Sequence, residues 1–118
     1  MPSSSARPIP ADRIHAPELT QAQPGLALLV VTRDKGLRAR ACSAQLYVDG
    51  TLVADLRPSE QIRLFVEEGR HEIGVDAAGT ACLGGADQTS VAVTRARPLL
   101  LRISAGHGEG MTIEPSAF

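Results

Sequence analysis

The chain has 118 residues, a net charge of -1, and only one Tyr, two Phe and no Trp. This length fits a single domain that buries roughly two-thirds of its unfolded surface. The balanced charge excludes a general attraction to nucleic acid or to anionic membranes, and the scarcity of aromatic side chains argues against single-strand binding by base stacking. No apolar run reaches the roughly 18 residues of a membrane-spanning helix.

The first 23 residues are predicted to be an N-terminal tether that is only partly docked on the domain. Residues 1–10 are rich in Ser and Pro, which is typical of an extended segment outside a core. Pro17 and Pro24 exclude a long helix between residues 11 and 23. A short turn or an edge segment is therefore expected there.

Four residues of this segment are predicted to contact the body of the domain. Ile14 and Leu19 are apolar and could dock on it. Asp12 and Arg13 are adjacent charges that could cap a turn or form ion pairs with the domain. We include both charged residues in a candidate interaction surface.

Residues 26–33 form the most apolar run, which predicts a central strand covered on both faces. Asp34 then begins a turn. Residues 37–42 alternate Arg with small or apolar residues, which predicts a strand whose basic face is solvated. The alternative interpretation is an anion-binding strip, which Asp34 would weaken, formed by Arg33, Lys35, Arg38 and Arg40.

Three apolar runs alternate with three turn signals in residues 44–76, which predicts an antiparallel meander with one buried face. Asp49-Gly50 is the strongest of these signals, because a two-residue hairpin turn needs positive φ at both positions. The residues at period two are predicted to point inward: Leu46, Val48, Leu52, Ala54, Leu56, Ile62, Leu64, Val66, Ile73 and Val75.

The C-terminal part adds a Gly-rich loop at residues 77–88 and strands at 89–95, 98–104 and 111–114. A second Gly-rich loop covers residues 105–110. We therefore predict an all-β fold: a small antiparallel β-sandwich of about seven or eight strands, without a substantial helix. The domain is expected to span residues 24–115, followed by a tail at 116–118.

Cys42 and Cys82 are the only two cysteines, and neither has a second ligand at metal-binding spacing. Each lies at the end of a predicted strand, where a bridge could fix two connections, so a disulfide between them is favoured over two independent buried thiols. It would close a loop of about 40 residues, worth on the order of 4 kcal/mol. Such a bridge persists in an oxidising compartment, which predicts the periplasm or the exterior of the cell, and of these we expect the periplasm. An intracellular protein with free thiols is the alternative.

The residues after Met1 lack the basic and apolar regions of a signal peptide. If the disulfide forms, we expect a signal peptide, of the lipoprotein type, to precede residue 1. Membrane contact is then expected only through that lipid anchor.

No constellation of residues predicts catalysis, a cofactor or a metal. His15, His71 and His107 lie in the tether, in a strand and in a Gly-rich loop. His71 is expected to be a partly buried, hydrogen-bonded imidazole. His107 and Glu109 could form an acid–base pair, but a loop of alternating glycines gives such a pair no rigid support. We therefore expect that the protein is not an enzyme.

Two resemblances extend this interpretation. LYVDG followed by RLFVEEGRHEIGV resembles the PEGA-type pattern of small extracytoplasmic β-sandwiches, which implies an immunoglobulin-like fold. From residue 9 to residue 113 the chain resembles small proteobacterial lipoproteins of no established activity. The matching positions are Asp12, Arg13, Arg33, Asp34, Gly36, Cys42, Asp49, Gly50 and Cys82.

The lipoprotein resemblance implies a lipid-anchored periplasmic domain, although no lipidated cysteine is present in this sequence. At residues 59–60, Ser-Glu replaces an expected Gly-Glu, a change that a type I turn absorbs.

The function that these observations predict is protein–protein interaction or self-assembly in the cell envelope, with an envelope protein or a second copy as partner. Exposed edge strands could accept a strand from that partner. The candidate surface comprises Asp12, Arg13, Arg33, Asp34, Arg38 and Arg40. The alternative is a small-ligand or glycan-binding module that uses the loops at 77–88 and 105–110.

Overall fold

The computed structural model describes residues 6–34, 42–78, 86–105 and 111–116. In these residues nine β-strands form two sheets, and the helical elements are two 3-10 turns, at Ala11–Arg13 and Pro17–Thr20. The sheets enclose a core made mainly of Val, Leu, Ile and Ala side chains. The predicted all-β sandwich without a substantial helix is confirmed.

The first sheet contains, in spatial order, β1 (Arg7–Pro8), β5 (Glu60–Val66), β2 (Ala27–Arg33), β8 (Leu99–Ala105) and β9 (Met111–Pro115). β2 is central, as predicted, with β5 antiparallel on one side and β8 parallel on the other. Leu29 and Val31 are fully buried on one face, and Val30 is buried on the opposite face. The parallel pairs β1–β5 and β2–β8 were not expected from the sequence.

The second sheet contains, in spatial order, β4 (Thr51–Leu56), β3 (Ser43–Val48), β6 (Gly69–Ala78) and β7 (Asp87–Val93), and all of its pairs are antiparallel. The predicted two-residue turn joins β3 to β4. Asp49 has φ 51° and Gly50 has φ 83°, which is the pair of left-handed residues that a type I′ turn requires. The Asp49 carboxylate also accepts the Glu72 N–H at 2.9 Å, so the turn is fixed to β6.

The predicted meander over residues 44–76 is wrong in its pairing, because this stretch is divided between the two sheets. β5 pairs with β2 rather than with β4, and β6 returns to the other side of β3. Alternation of apolar residues does not distinguish a meander in one sheet from strands divided between two packed sheets, because each strand buries one face in both cases. The corner between β4 and β5 is a turn closed by the Glu60 N–H and the Arg57 carbonyl.

That corner also differs from the expected type I turn. Pro58 occupies its second position, and Ser59, at the third, has φ 66°. A positive φ at the third position, after Pro, is the pattern of a type II turn, in which Gly is favoured. The glycine expected here from the family resemblance would relieve the strain that Ser59 bears.

A β-bulge changes which side chains of β4 point inward. The register between β3 and β4 shifts between Leu46 and Tyr47, so that Val53 becomes an extra residue. Val53 and Ala54 are both fully buried, whereas Leu52 is only half-buried. The prediction that Leu52 points inward is therefore wrong, because a bulge interrupts the alternation of period two.

The N-terminal segment contributes more to the core than predicted. Ile9 is 8% exposed and Ala16 is 3% exposed, and both belong to the core cluster. The expectation that residues 1–10 lie outside the core is thus wrong for Ile9, since an edge strand tolerates the neighbouring prolines. Ile14 and Leu19 dock against the core as predicted.

Candidate functional site

A groove of about 650 Å³ lies on the outer face of the four-stranded sheet, and we call it the outer groove. Its floor is Gly74 on β6, which lies between Tyr47 on β3 and Gln88 on β7. A Cβ at Gly74 would lie 3.7 Å from the Tyr47 Cβ and 3.6 Å from the Asp87 carbonyl oxygen. The missing side chain at this one position therefore produces the depression.

The outer groove is acidic. Its lining includes Asp49, Glu72 and Asp76, and none of the described lining residues is basic. The Gln88 side-chain amide donates to the Glu72 carboxylate at 2.9 Å, which draws that carboxylate towards β7. Asp87 also lines the groove, but its carboxylate accepts the Ile113 N–H of β9 and so faces the other sheet. The groove combines one aromatic wall with carboxylates fixed on a rigid sheet.

His71 holds the rim of the outer groove in place. Its Nδ1 lies 2.7 Å from an Asp49 carboxylate oxygen, and its Nε2 lies 2.7 Å from the Glu67 carbonyl oxygen. The expected hydrogen-bonded, partly buried imidazole is therefore present. Burial opposes its charged form, but the bonds to Asp49 and Glu67 raise the pKa of His71 above its usual value. The hydrogen bond from His71 in turn lowers the pKa of Asp49.

A second, more apolar pocket of about 350 Å³ lies on the other side of His71, at one end of the sandwich. Leu19, Leu26 and Phe65 contribute apolar side chains to it, and Asp49 and His71 line it as well. Asp49 thus belongs to both concavities, and the His71 ring stands beside the second. Any movement of this ion pair would alter both surfaces.

Arg33, which was predicted to belong to an exposed surface, lies inside the protein. It is 4% exposed, and its guanidinium donates to the Cys42 carbonyl at 2.6 Å and to the Leu56 carbonyl at 2.7 Å. Burial lowers the pKa of Arg33 below its usual value. Arg33 therefore links β2, β3 and β4 and is not available to a partner.

Arg13 is also engaged within the domain, and this fulfils the expectation that it pairs with the body of the protein. Its guanidinium forms a bidentate pair with the Glu60 carboxylate, at 2.6 and 2.5 Å, and donates to the Asp55 carbonyl at 3.2 Å. Burial alone would raise the pKa of Glu60, but Arg13 and the Arg57 N–H bring it below its usual value. Asp12, next to Arg13, is exposed.

Asp34 is held by the neighbouring strand β8. Its carboxylate accepts the Arg102 guanidinium and, at 2.9 Å, the Ser104 hydroxyl. Arg38 and Arg40 lie outside the described residues. The structure therefore joins Arg13, Arg33 and Asp34 to the fold itself, and of the described members of the predicted surface only Asp12 remains exposed.

Sequence reasoning missed the outer groove, although one signal was available. A glycine in the interior of a strand often marks a close approach by a ligand or another backbone, and Gly74 interrupts the alternation between Ile73 and Val75. Tyr47 and Gln88 carry no sequence signal of their own. They become neighbours of Gly74 only through strand pairing.

The predicted disulfide can be tested only in part against the described residues. Cys42 is 7% exposed, and Cys82 lies outside the described residues. Ser43, next to Cys42, pairs with Ala78 at the end of β6, and Cys82 follows four residues later in the sequence. Four residues span at most about 14 Å, so the topology allows the bridge, which stays a prediction.

Of the three histidines that the sequence offers, His15 and His71 lie within residues 6–34, 42–78, 86–105 and 111–116. His15 pairs with Asp55 at 2.9 Å, while His107 and Glu109 lie outside the described residues. No group of three or more His, Cys, Asp or Glu in this part of the chain could hold a metal ion. Nor does this part contain a helix long and apolar enough to cross a membrane.

Comparison of the chain with protein-family models, with curated proteins and with solved structures finds no match. The resemblances to PEGA-type sandwiches and to proteobacterial lipoproteins therefore stay predictions from sequence motifs. Function has to be argued from the surface of the molecule itself, and above all from the outer groove.

Proposed function

We propose that this protein is a non-enzymatic extracytoplasmic binding domain, derived from an envelope lipoprotein, that holds a partner protein through its outer groove. The observation that carries the proposal is the acidic, glycine-floored groove on a regular antiparallel sheet. A concave site with one aromatic wall and a few fixed polar groups is the usual form of a binding site. Because Gly74 lies in the centre of the sheet, the groove is pre-formed.

The chemistry of the groove favours a basic segment. Glu72 and Asp76 follow one another on the outer face of β6, on either side of Gly74. A Lys or Arg side chain lying over Gly74 would contact both carboxylates, with the face of Tyr47 beside it. Opposite charges across an interface favour association and select the partner, and a cation over an aromatic ring adds further attraction.

The proposed compartment is supported by the cysteine pair. Cys42 immediately precedes β3, and the register of β3 with β6 brings the chain before Cys82 to the same end of the sheet. A bridge between them would be stable in the periplasm and not in a reducing cytosol. The lipoprotein motifs around Arg13 and Asp34 support the same compartment.

A small ligand or glycan is the second candidate, and the position of the groove favours it. Ala86, Asp87 and Gln88 line the groove and end the Gly-rich segment that the sequence associates with such binding. Tyr47 offers a flat face for a sugar ring, and the carboxylates could accept its hydroxyl groups. The basic protein segment and the small ligand or glycan would use the same groove. They differ in charge, since only the protein segment has to be basic.

The test is to fill the groove without harming the fold. A Cβ at Gly74 makes only ordinary van der Waals contacts, and Val is favoured in strands, so Gly74→Val should keep the fold, which circular dichroism checks. The matched control is Ala92→Val, an exposed residue of the same sheet outside the groove. Binding is followed by amide chemical shifts of labelled protein with three probes: an extended Lys/Arg peptide, its Asp/Glu counterpart, and an N-acetylglucosamine oligomer.

We expect the basic peptide to shift the amides of Tyr47, Glu72 and Gln88, and Gly74→Val to abolish the shifts while Ala92→Val retains them. If the sugar oligomer alone gives these shifts, the second candidate replaces the first. If no probe shifts these amides, or if the shifts persist unchanged in Gly74→Val, the outer groove is not the binding site.

A further inference from the structure

One edge of the four-stranded sheet has no second strand partner in the described part of the chain, although β9 of the other sheet packs near it. β7 pairs with β6 along its whole length, and no other described strand pairs with its second side. Gln88, Ser90 and Ala92 are exposed on this strand. An unpaired edge of this length, with neither Lys nor Pro within it, can accept another strand.

The hydrogen bonds around Glu72 show which backbone N–H and C=O groups of β7 do not bond to β6. The Asp49 N–H donates to the Glu72 carbonyl, so the backbone of Glu72 faces β3 rather than β7. Backbone groups alternate sides along an antiparallel strand, so His71 and Ile73, and not Glu72, bond to β7. Their partners are Val91 and Thr89. The N–H and C=O groups of Ser90 and of Ala92 therefore point outward from the free edge of β7, in the plane of the sheet.

Two side chains of opposite charge lie on the outer face of β6, next to this edge. They are two residues apart, so each lies in its own row of residues paired across the strands. Arg70 pairs with Ala92, and Glu72 pairs with Ser90, so each long charged side chain lies next to a small residue of β7. The Arg70 guanidinium already reaches over β7 to donate to the Ser90 hydroxyl at 3.1 Å. Likewise, the Glu72 carboxylate is bonded to Gln88 of β7. Both charges are directed towards the open edge.

We propose that β7 pairs antiparallel with β7 of a second copy of this chain, in a twofold arrangement centred on Val91. Ser90 then forms a hydrogen-bonded pair with Ala92 of the second copy, and Ala92 with its Ser90. This inference goes beyond the proposed function, because it concerns the free edge of β7 and not the outer groove. The two sheets join into one continuous sheet of eight strands, four from each copy.

Charge complementarity identifies a second copy of the chain as the source of the strand that pairs with β7. In this register Arg70 lies in the same row as Glu72 of the second copy, about 14 Å away over three strand spacings. Only Ala92 and the second copy's Ser90 stand between them, and both are small enough for the long side chains to meet above them. Because the dimer has twofold symmetry, this pair between Arg70 and Glu72 of the other copy forms twice.

Neighbouring registers are disfavoured by the same charges. Centring the pair on Ser90 places Glu72 opposite Glu72 of the second copy, and centring it on Ala92 places Arg70 opposite Arg70. The long side chains would then direct like charges towards each other above the small residues of β7, and like charges repel. The low net charge of -1 per chain adds little repulsion between copies. The edge is therefore complementary to itself in a single register.

The test uses the full chain and two surface variants whose charges are complementary only in a mixture. In Arg70→Glu, Glu faces Glu72 of the second copy, and in Glu72→Arg, Arg faces Arg70. Both residues are exposed, so both variants should keep the fold, which circular dichroism checks. An equimolar mixture pairs Glu with Arg in both rows. Oligomeric state is measured by sedimentation equilibrium over a range of protein concentrations.

We expect the wild type to show a concentration-dependent monomer–dimer equilibrium. Each variant alone should raise the dimer Kd at least about tenfold, and the mixture should restore it to the wild-type value. Ser90→Pro removes an outward N–H that does not belong to the β6–β7 ladder and should also abolish dimers. Gly74→Val should still dimerise.

A monomeric wild type at millimolar concentration would overturn the proposal. So would dimers that persist unchanged in all three variants, because another surface would then hold the copies together. If a dimer forms in the proposed register but no probe binds the outer groove, only the groove function fails. If the wild type stays monomeric while basic peptide binding is lost in Gly74→Val, only the dimer fails.

Discussion

His71 faces a hydrogen-bond acceptor with each of its two ring nitrogens. A carboxylate and a carbonyl can only accept hydrogen bonds, so the bonds to Asp49 and Glu67 require both ring nitrogens to donate. Both bonds therefore form together only when the ring is cationic. Loss of one proton breaks one of the two bonds, and with it a link between the β3–β4 turn and the β5–β6 connection.

We predict a stability contribution from His71 that depends on pH. Its pKa is raised in the folded state, so the contribution is complete below the unfolded pKa of about 6.5 and is lost as pH rises through the folded pKa. Because Asp49 is half exposed, we expect about 0.5–1 kcal/mol. Urea unfolding of the wild type and of His71→Gln, from about pH 5 to about pH 8, measures it.

His15→Gln is the matched control, because His15 also pairs with an aspartate but is more exposed. The free energy of unfolding of the wild type should exceed that of His71→Gln mainly at the acidic end. A difference between them that is independent of pH would contradict the ionic interpretation of this contact.

At the scale of elements, the N-terminal segment holds the corner where the chain passes from one sheet to the other. The 3-10 turn Ala11–Arg13 presents Arg13 to Glu60, the first residue of β5. Ile14 forms a bridge with Ala54 of β4. The segment thus contacts strands of both sheets, although the sequence suggests only a partly docked tether.

We predict that Arg13→Ala lowers the free energy of unfolding at neutral pH by about 2 kcal/mol, because it removes a charged hydrogen-bond partner from the buried Glu60 carboxylate. The pKa of Glu60 is lowered in the folded state. Its ionic contribution is therefore present above the unfolded pKa of about 4.3 and is lost as pH falls through the folded pKa. Urea unfolding at neutral and acidic pH measures both effects.

Arg63→Ala is the control for this variant, since Arg63 is exposed on the same strand, β5. It should change the free energy of unfolding little. An Arg13→Ala variant as stable as Arg63→Ala would show that the corner does not depend on the ion pair.

Strand positions and inward faces follow well from the sequence, and strand pairing follows less well. Leu46, Ile62 and Ile73, for example, are buried as period two predicts. The placement of β5 in the other sheet depends on contacts between residues far apart in the chain, which local periodicity does not encode. The bulge at Val53 likewise arises from pairing with β3.

The candidate site was harder to predict for the same reason. Charged residues that stand out in the sequence, such as Arg13 and Arg33, prove to have partners inside the fold. Groove residues such as Gly74 and Gln88 are unremarkable in sequence and gain meaning from strand register. A surface formed across three strands exists only once those strands are paired.

At the scale of the whole molecule, the cysteine pair gives a prediction about stability. We expect neither Cys42 nor Cys82 to be alkylated in denaturant unless a reductant is added. The double variant Cys42→Ala/Cys82→Ala should lose on the order of 4 kcal/mol, because the bridge closes a loop of about 40 residues. Intact-mass measurement after alkylation and urea unfolding check these two expectations.

Alkylation of both thiols in denaturant without reductant would remove the support for an oxidising compartment. Reduced wild-type protein serves as the control for the double variant, because it has lost the bridge but keeps both sulfur atoms. The two should unfold at similar urea concentrations.

The parallel pairing of β2 with β8 has a consequence for how the chain folds. β2 lies early in the sequence and is its most apolar strand, yet one of its two neighbours is among the last strands to be synthesised. The second side of β2 cannot be paired until nearly the whole chain is present. Contacts between residues so far apart in the sequence make folding slow. If the protein is exported, as we propose, this order is useful, because a chain that folds late stays unfolded for translocation.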